Sequence, residues 1–298
     1  MSILVDFSQV FISAIHVQIA TSKNGTTIDE DLVRHLVLSN ILHYKKRFGK
    51  KYGNLIFCFD SKTYWRKSAF KYYKSGRKKV RDDSGLDWKA IFNSLNKIKN
   101  ELKENFPYKF IEVDNAEGDD VIAVACKVIN EEGSTVQVGL FEEPEPILIL
   151  SSDKDFLQLQ KYSNVEQYSP IVKKFIRTEN PEAYLKEHII RGDSGDGIPN
   201  FLSDDDTFDS DKRQKGIQEI KLAKWLEQEP EDFCTTETLL RNFKRNEMLV
   251  DLSKIPKDVE ARIREELAIP AKPKKSTNLL RYFMDNKLKL LSEELQNF

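Results

Sequence analysis

The sequence predicts an α/β protein with a mainly parallel central sheet flanked by helices, followed by a region that is helical throughout. Three observations carry this. Short apolar runs alternate with helical patterns over residues 1–180. No convincing strand follows from Pro181 onward. The runs NLIFCF and PILIL are apolar almost without interruption, as strands buried on both faces of a parallel sheet are.

Taken in order, Ile3–Phe7 is the first strand candidate and Leu32–Arg47 a helix with Leu32, Leu36, Ile41 and Leu42 on its apolar side. Asn54–Phe59 is the second strand, and a basic segment of about 61–86 leaves it. A helix over Asp87–Asn105, a strand over Tyr108–Val113 and a helix over Glu117–Asn130 follow. Pro146–Leu150 and a weaker Val165–Tyr168 complete the sheet. The helical region carries candidates at Pro181–Arg191, Gln214–Glu227, Thr236–Leu249, Lys257–Leu267 and Asn278–Gln296. A division into a core of 1–180 and a helical domain of 181–298 is therefore expected. Ser203–Asp211 (SDDDTFDSD) reads as an exposed acidic loop and Ala271–Ser276 as a basic linker.

With 298 residues the chain can bury a sizeable core. No apolar run approaches the ~20 residues of a membrane span, and MSILVDFSQV lacks the basic flank of a signal peptide. Cys58, Cys126 and Cys234 lie far apart and form no CxxC pair, so neither a disulfide nor a zinc site is expected and a cytoplasmic setting is. His16, His35, His43 and His188 are scattered and read as ordinary packing or surface residues.

The net charge of −1 hides a partition. Residues 61–81 hold nine Lys or Arg and no acid, interleaved with Tyr64, Trp65, Phe70, Tyr72 and Tyr73. Cations neutralise phosphates and aromatic faces stack unpaired bases, so this strip suits a single strand of nucleic acid. A solvated basic helix with an aromatic core face is the simpler alternative.

The acids sit at strand ends. Asp6 closes the first strand and Asp60 the second; Glu117, Asp119 and Asp120 follow the third, and Asp153 and Asp155 the fourth. Asp193 and Asp196, in GDSGDGIP, add two from the helical half. One Asp after a strand is ordinarily a turn former or helix cap. Seven gathered at the rim where open α/β sheets bind ligands cannot all ionise without a counter-charge. All-oxygen ligands suit hard ions, so two Mg²⁺, with Mn²⁺ as a substitute, are expected. Two ions beside a basic strip describe a nuclease. No GxxxxGK[ST] or GxSxG occurs, and Asp6-Phe7-Ser8 lacks the DxD of an aspartyl phosphatase.

In order along the chain, VDFS, FCFD, EGDDVIAV, SSDKDFLQL and GDSGDGIP, with the basic segment between the second and third, resemble the 5′ nucleases related to flap endonucleases. The resemblance runs over essentially the whole chain. It implies a PIN-like core with a degenerate helix-hairpin-helix-like element in the helical region. It also implies a metal-dependent 5′–3′ nuclease acting on 5′ ends or flaps of DNA and RNA–DNA duplexes, including lagging-strand RNA primers. Asp6, Asp60, Glu117, Asp119 and Asp153 would surround one metal, with Asp120 beside them. Asp155, Asp193 and Asp196 would serve a second, partly through water.

Residues 61–81 resemble an arch through which the 5′ strand passes, and YKSGR, with Tyr73, Lys74 and Arg77, its phosphate-contacting part. Lys74, Arg77 and Asp120 are the implied catalytic residues. Arg66, Lys67, Lys71, Tyr73, Lys74, Arg77 and Lys78 are the implied strand contacts. An acidic loop stands where the family has a glycine-rich hairpin, which leaves the duplex to Lys212, Arg213 and Lys215. A single-stranded-DNA-binding protein or a sliding clamp is an implied partner, and a monomer the expected state. The alternatives are a PIN-type endoribonuclease and a non-catalytic DNA-structure-binding protein. The C-terminal Leu279, Leu280, Tyr282, Phe283, Leu288, Leu291 and Leu295 form an apolar face expected to pack on the protein itself.

Overall fold

The computed structural model describes residues 2–21, 27–138, 141–210, 212–273 and 275–298. Asp211 of the acidic loop and Lys274 of the basic linker lie outside the described residues.

Strands β1 (Ser2–Asp6), β2 (Asn54–Phe59), β3 (Lys109–Glu112), β6 (Ile147–Leu150), β7 (Val165–Ser169) and β8 (Lys174–Ile176) form one sheet in the order β3-β2-β1-β6-β7-β8. All neighbours are parallel except β7 and β8. Alternate residues of each strand face opposite sides. Ile3 and Val5 of β1, Leu55, Phe57 and Phe59 of β2, and Leu148 and Leu150 of β6 meet helices α1 (Phe7–Thr21), α2 (Glu30–Tyr52) and α5 (Trp88–Asn105). Leu4, Cys58, Ile147 and Ile149 meet α6 (Gly118–Glu131) on the other side. Burial on both faces is what the near-continuous apolar runs require. Strands β4 (Thr135–Val138) and β5 (Phe141–Pro144) pair as a separate antiparallel ribbon.

Several helices start where short polar side chains accept first-turn N–H groups. Asp29 accepts from Leu32 N at 3.1 Å, Asp87 from Ala90 N at 2.9 Å, and Asn180 from Ala183 N at 2.9 Å. Asn180 opens α7 (Pro181–Arg191), with proline at the first helical position. Helices α8 (Glu219–Leu226), α9 (Pro230–Phe233) and α10 (Glu237–Val250) complete a third core with α7, around Ile190, Phe201, Leu222 and Phe243. Beyond residue 250 the chain returns to the sheet. Helix α11 (Lys257–Ala268) packs Val259 and Ile263 on the α6 side. Helices α12 (Ser276–Asp285) and α13 (Lys289–Ser292) place Leu279, Tyr282, Phe283, Leu288 and Leu291 in the α1–α2–α5 core. The expected packing of that face on the protein holds; Leu280 is its exposed member.

Several elements differ from expectation. Phe7 ends no strand; it begins α1, which the sequence did not suggest. Its buried positions Phe7, Val10, Phe11, Ala14 and Ile15 keep helical spacing, but Val17 on the outer side is apolar too and blurs the stripe. The Gln214–Glu227 helix begins only at Glu219. The Asn278–Gln296 helix is broken, because Lys287 takes a left-handed φ of 56° and Leu288 N turns back to Phe283 O at 2.8 Å. Strands β4, β5 and β8 were not expected. Among the described residues no helix is long and apolar enough to cross a membrane.

Candidate metal centre and nucleic-acid cleft

The chain adds β2 and β3 on one side of β1, then crosses back to lay β6 and β7 on the other. The strand order therefore reverses between β1 and β6, and at such a point the connections diverge and leave a crevice at the C-terminal strand ends. Asp6 at the end of β1 and Asp153 just past β6 flank it. Asp6 Oδ1 accepts from Gln9 N at 3.1 Å and Oδ2 from Ser151 Oγ at 3.0 Å, which fixes the carboxylate at the start of α1. Asp60, past β2, accepts from Ser8 Oγ and from Gly118 N, both at 2.7 Å. Asp153 Oδ1 accepts from Asp155 N at 3.0 Å. Asp119 comes from the first turn of α6.

Asp6, Asp60, Asp119 and Asp153 line one cleft of about 740 Å³ together with Lys74 and Arg77. Burial and the nearby Asp60 and Asp153 push the Asp6 carboxyl up to about 7. Burial, with Asp153 and Asp6 beside it, raises Asp119 well above the usual range, and burial raises Asp153. Asp155, behind the rim, is pushed up to about 7 by burial and by Asp153. Carboxyls that disfavour their own charge this strongly fit a donor set completed by bound cations. The rim donors are oxygens alone, which suits a hard ion such as Mg²⁺ and serves Mn²⁺ as well.

The second cluster is built by the loop after α7. Gly192 has a φ of 68°, and a Cβ there would stand 2.4 Å from Ile198 O, so the turn demands glycine. Asp193 and Ile198 exchange backbone hydrogen bonds of 2.8 and 2.7 Å. Asp193 Oδ1 accepts from Gly195 N at 2.7 Å and Asp196 N at 3.2 Å. This folds Asp193 and Asp196 toward Asp119 and Asp155, with which they line a small crevice. His188, read as an ordinary packing or surface residue, stands between Asp155 and Asp193 instead. Its partner Asp155 is distant in sequence, so only the position five residues before Asp193 hinted at this.

The basic strip is only partly the solvated arch expected of it. It folds as α3 (Trp65–Ala69), a series of turns, and α4 (Arg77–Asp83). Trp65, Arg66, Phe70 and Tyr73 are buried. Arg66 pairs with Glu117 and with Asp120, both at 2.8 Å, and donates to Leu249 O at 2.8 Å. Tyr73 Oη reaches Glu117 at 3.0 Å and Asp196 at 2.9 Å. Arg66 and Tyr73, expected to contact the strand, have their polar atoms engaged by the protein's own acids instead. Lys67, Lys71 and Lys78 are exposed, as are Lys212, Arg213 and Lys215, with Lys212 paired to Asp206 at 2.9 Å.

Two of the expected site acids lie deeper than the rim. Asp120 is fully buried, accepts from Trp65 Nε1 at 3.1 Å and Glu117 N at 3.0 Å, and meets Arg66, so its carboxylate is engaged by the protein's own donors. Glu117, 2% exposed, has its oxygens taken by Arg66, Tyr73 and Lys74 and does not line the cleft with Asp6 and Asp60. Lys74 has a left-handed φ of 56°, unusual without glycine, and the turn aims its ammonium at Glu117 and, at 3.6 Å, Asp196. Arg77 pairs with Asp196 while 48% exposed.

Carboxylates collected at the switch point of a parallel sheet, facing fixed cations across one cleft, define a metal-dependent nuclease. Residues 1–189 match the family described as 5'-3' exonuclease, N-terminal resolvase-like domain, and the chain belongs to that family. It is 32% identical over 269 residues to Ribonuclease H of Enterobacteria phage T4, covering 87% of this chain and 84% of that protein. It is 31% identical over 146 residues to Flap endonuclease Xni of Shewanella woodyi, covering 46% of this chain and 49% of that protein. Among solved structures, a bacteriophage T5 flap endonuclease in a pseudo-enzyme-product complex with DNA and metal ions shares the fold. Its TM-score is 0.62 at 16% identity, over 91% of this chain and 99% of that one. The T5 5'-exonuclease with bound zinc superposes with a TM-score of 0.58 at 17% identity, over the same shares.

Proposed function

We propose that this chain cuts DNA and RNA–DNA duplexes at or near a single-stranded 5′ end, and that it removes lagging-strand RNA primers during phage replication, in the host cytoplasm. The observation that carries the reading is the single cleft in which Asp6, Asp60, Asp119 and Asp153 face Lys74 and Arg77. Its relatives include a ribonuclease H and a flap endonuclease by name.

Two Mg²⁺, or Mn²⁺ in their place, are the proposed cofactors. Asp6, Asp60, Asp119 and Asp153 would hold one, and Asp155, Asp193 and Asp196 the other. When bound, such ions supply the charge that makes water nucleophilic and offsets the leaving oxygen. The protein's part is positioning. Arg77 is exposed enough to turn from Asp196 to a phosphate oxygen, where its planar donors match two oxygens at once. Lys74, mostly buried, fixes the floor of the cleft and lends positive charge where phosphate charge develops. Lys67, Lys71 and Lys78 meet the single strand; Lys212, Arg213 and Lys215 meet the duplex backbone. The enzyme is proposed to act as a monomer with a single-stranded-DNA-binding protein or sliding clamp as partner.

A cleavage assay on a 5′-labelled duplex with a 5′ flap, run in Mg²⁺ and in EDTA beside an RNA-primed strand and a 3′ flap, tests this. Short labelled products that need the metal and the 5′ end are expected. Binding without cleavage would point to a structure-binding protein. Cutting of free single-stranded RNA with the flap ignored would point to an endoribonuclease.

A further inference from the structure

His188 is out of place in an all-oxygen centre. It lies in the last turn of α7, with Nδ1 3.3 Å from Asp155 Oδ1 and Nε2 3.7 Å from Asp193 Oδ2. Its side chain is 15% exposed, and Nδ1 is buried with no hydrogen-bond partner. One donor atom each from Asp155, His188 and Asp193 lies within 4.8 Å of the other two, a span a single ion could bridge. Burying an imidazole nitrogen without a hydrogen bond is unfavourable.

We propose that His188 is a nitrogen ligand of the second cation position, together with Asp155 and Asp193, and that it makes that position prefer Mn²⁺ to Mg²⁺. The inference rests on the metal-dependent reading above. Mg²⁺ takes oxygen ligands in a strict octahedron and keeps most of its waters. Imidazole is a ligand of transition ions, whereas carboxylate serves Mg²⁺ and Mn²⁺ alike, so of these two ions Mn²⁺ gains more from the nitrogen. The rim of Asp6, Asp60, Asp119 and Asp153 offers oxygen alone and suits Mg²⁺. The centre is then asymmetric, one position for each kind of ion.

The competing role for His188 is a cation lodged between two carboxylates. The two roles give opposite signs when the imidazole is removed. A ligand lost weakens Mn²⁺ binding and leaves Mg²⁺ nearly unchanged. A competing cation lost strengthens both ions.

The test uses the full chain with Mn²⁺ and Mg²⁺ as probes at pH 7.5. Electron spin-echo envelope modulation of bound Mn²⁺ is expected to show ¹⁴N coupling in the unaltered protein and none in His188→Asn. Calorimetric titration of that variant is expected to lose roughly 10-fold or more in Mn²⁺ affinity at one site, since even indirect partners of a metal are worth about 10–100-fold. Mg²⁺ affinity should stay within about 2-fold, because oxygen ligands satisfy that ion. Asp153→Asn should keep the ¹⁴N signal, because it alters the other position. Absence of ¹⁴N coupling in the unaltered protein, which needs no variant to fold, overturns the proposal. Tighter binding of both ions by His188→Asn overturns it too. If the unaltered protein binds neither ion, the metal-dependent reading falls with it; binding without nitrogen coupling overturns the His188 role alone.

Discussion

The crowded rim makes the stability of the metal-free protein depend on pH in an unusual direction. Asp6 and Asp155 are each pushed up to about 7 in the fold. In the unfolded chain they return to about 4, so between these values the native state keeps protons that the unfolded state has lost. Their protonation therefore contributes stability that is complete below about pH 4 and is lost as pH rises through 7. His188, raised by Asp193 and Asp155 despite its burial, adds the same sign near its own titration. Asp193, which His188 helps to hold below the usual carboxylate range, acts only at lower pH.

Each retained proton is worth about 1.4 kcal/mol per pH unit, so two reach about 2.7 per unit and about 5 between pH 5 and 7. Halving this for partial solvent access leaves roughly 2–3 kcal/mol between pH 5 and 7, or about 5 °C in Tm for a chain this long. Differential scanning calorimetry in EDTA from pH 5 to 7.5 should show Tm falling by that order. Added Mg²⁺ should raise Tm at pH 7.5 and much less at pH 5.5, because the ligands must first lose their protons. The double variant Asp6→Asn, Asp155→Asn should flatten the EDTA profile. A profile that is flat or rises with pH, or a Mg²⁺ increment equal at both pH values, would refute the reasoning.

Asp153→Asn should reduce flap cleavage by at least ~10³-fold, by analogy with loss of a main electrostatic group, while DNA affinity measured by anisotropy is kept. Arg77→Ala should lower kcat about 10-fold or more with the fold intact, since one charge-assisted contact to the transition state is worth at least ~1.4 kcal/mol; an unchanged single-turnover rate would remove Arg77 from the reaction. Arg66→Met should destabilise the protein by about 3–5 kcal/mol, read by urea unfolding, because Glu117 and Asp120 lose a buried counter-charge. Replacing Lys67, Lys71 and Lys78 with Ala should each shallow the slope of log K against log salt by about 0.7–0.9, and a slope that does not move would place those lysines off the DNA.

The parallel sheet was legible because its central strands β1, β2 and β6 are largely buried and each is closed or soon followed by an acid, which the chain order then gathers at β1 and β6. Helix α1 was not, because it follows β1 with no loop and is apolar beyond its buried side. The acidic rim could be read from strand ends alone. What could not be read is pairing across long separations. Arg66 looks like one cation among nine until Glu117 and Asp120 are brought beside it. Tyr73 and Trp65 look like stacking surfaces until α6 and α10 cover them. His188 depends on Asp155, and no local pattern links the two.

The loop of Asp193–Ile198 is also fastened to the basic turn by main chain. Lys74 N donates to Asp196 O at 2.7 Å, and Gly197 lies so close to Tyr72 O that a Cβ would stand 2.8 Å from it. Above that weld, α4 buries none of its residues and hangs between Gly76 and Gly85, where an added Cβ would meet nothing within 4 Å. The strip is thus a span with a fixed abutment. Its seven-residue helix is tied down through Arg77, which pairs with Asp196. A strand drawing Arg77 away would also free an oxygen of Asp196, so the span and the carboxylates beneath it are coupled through one ion pair.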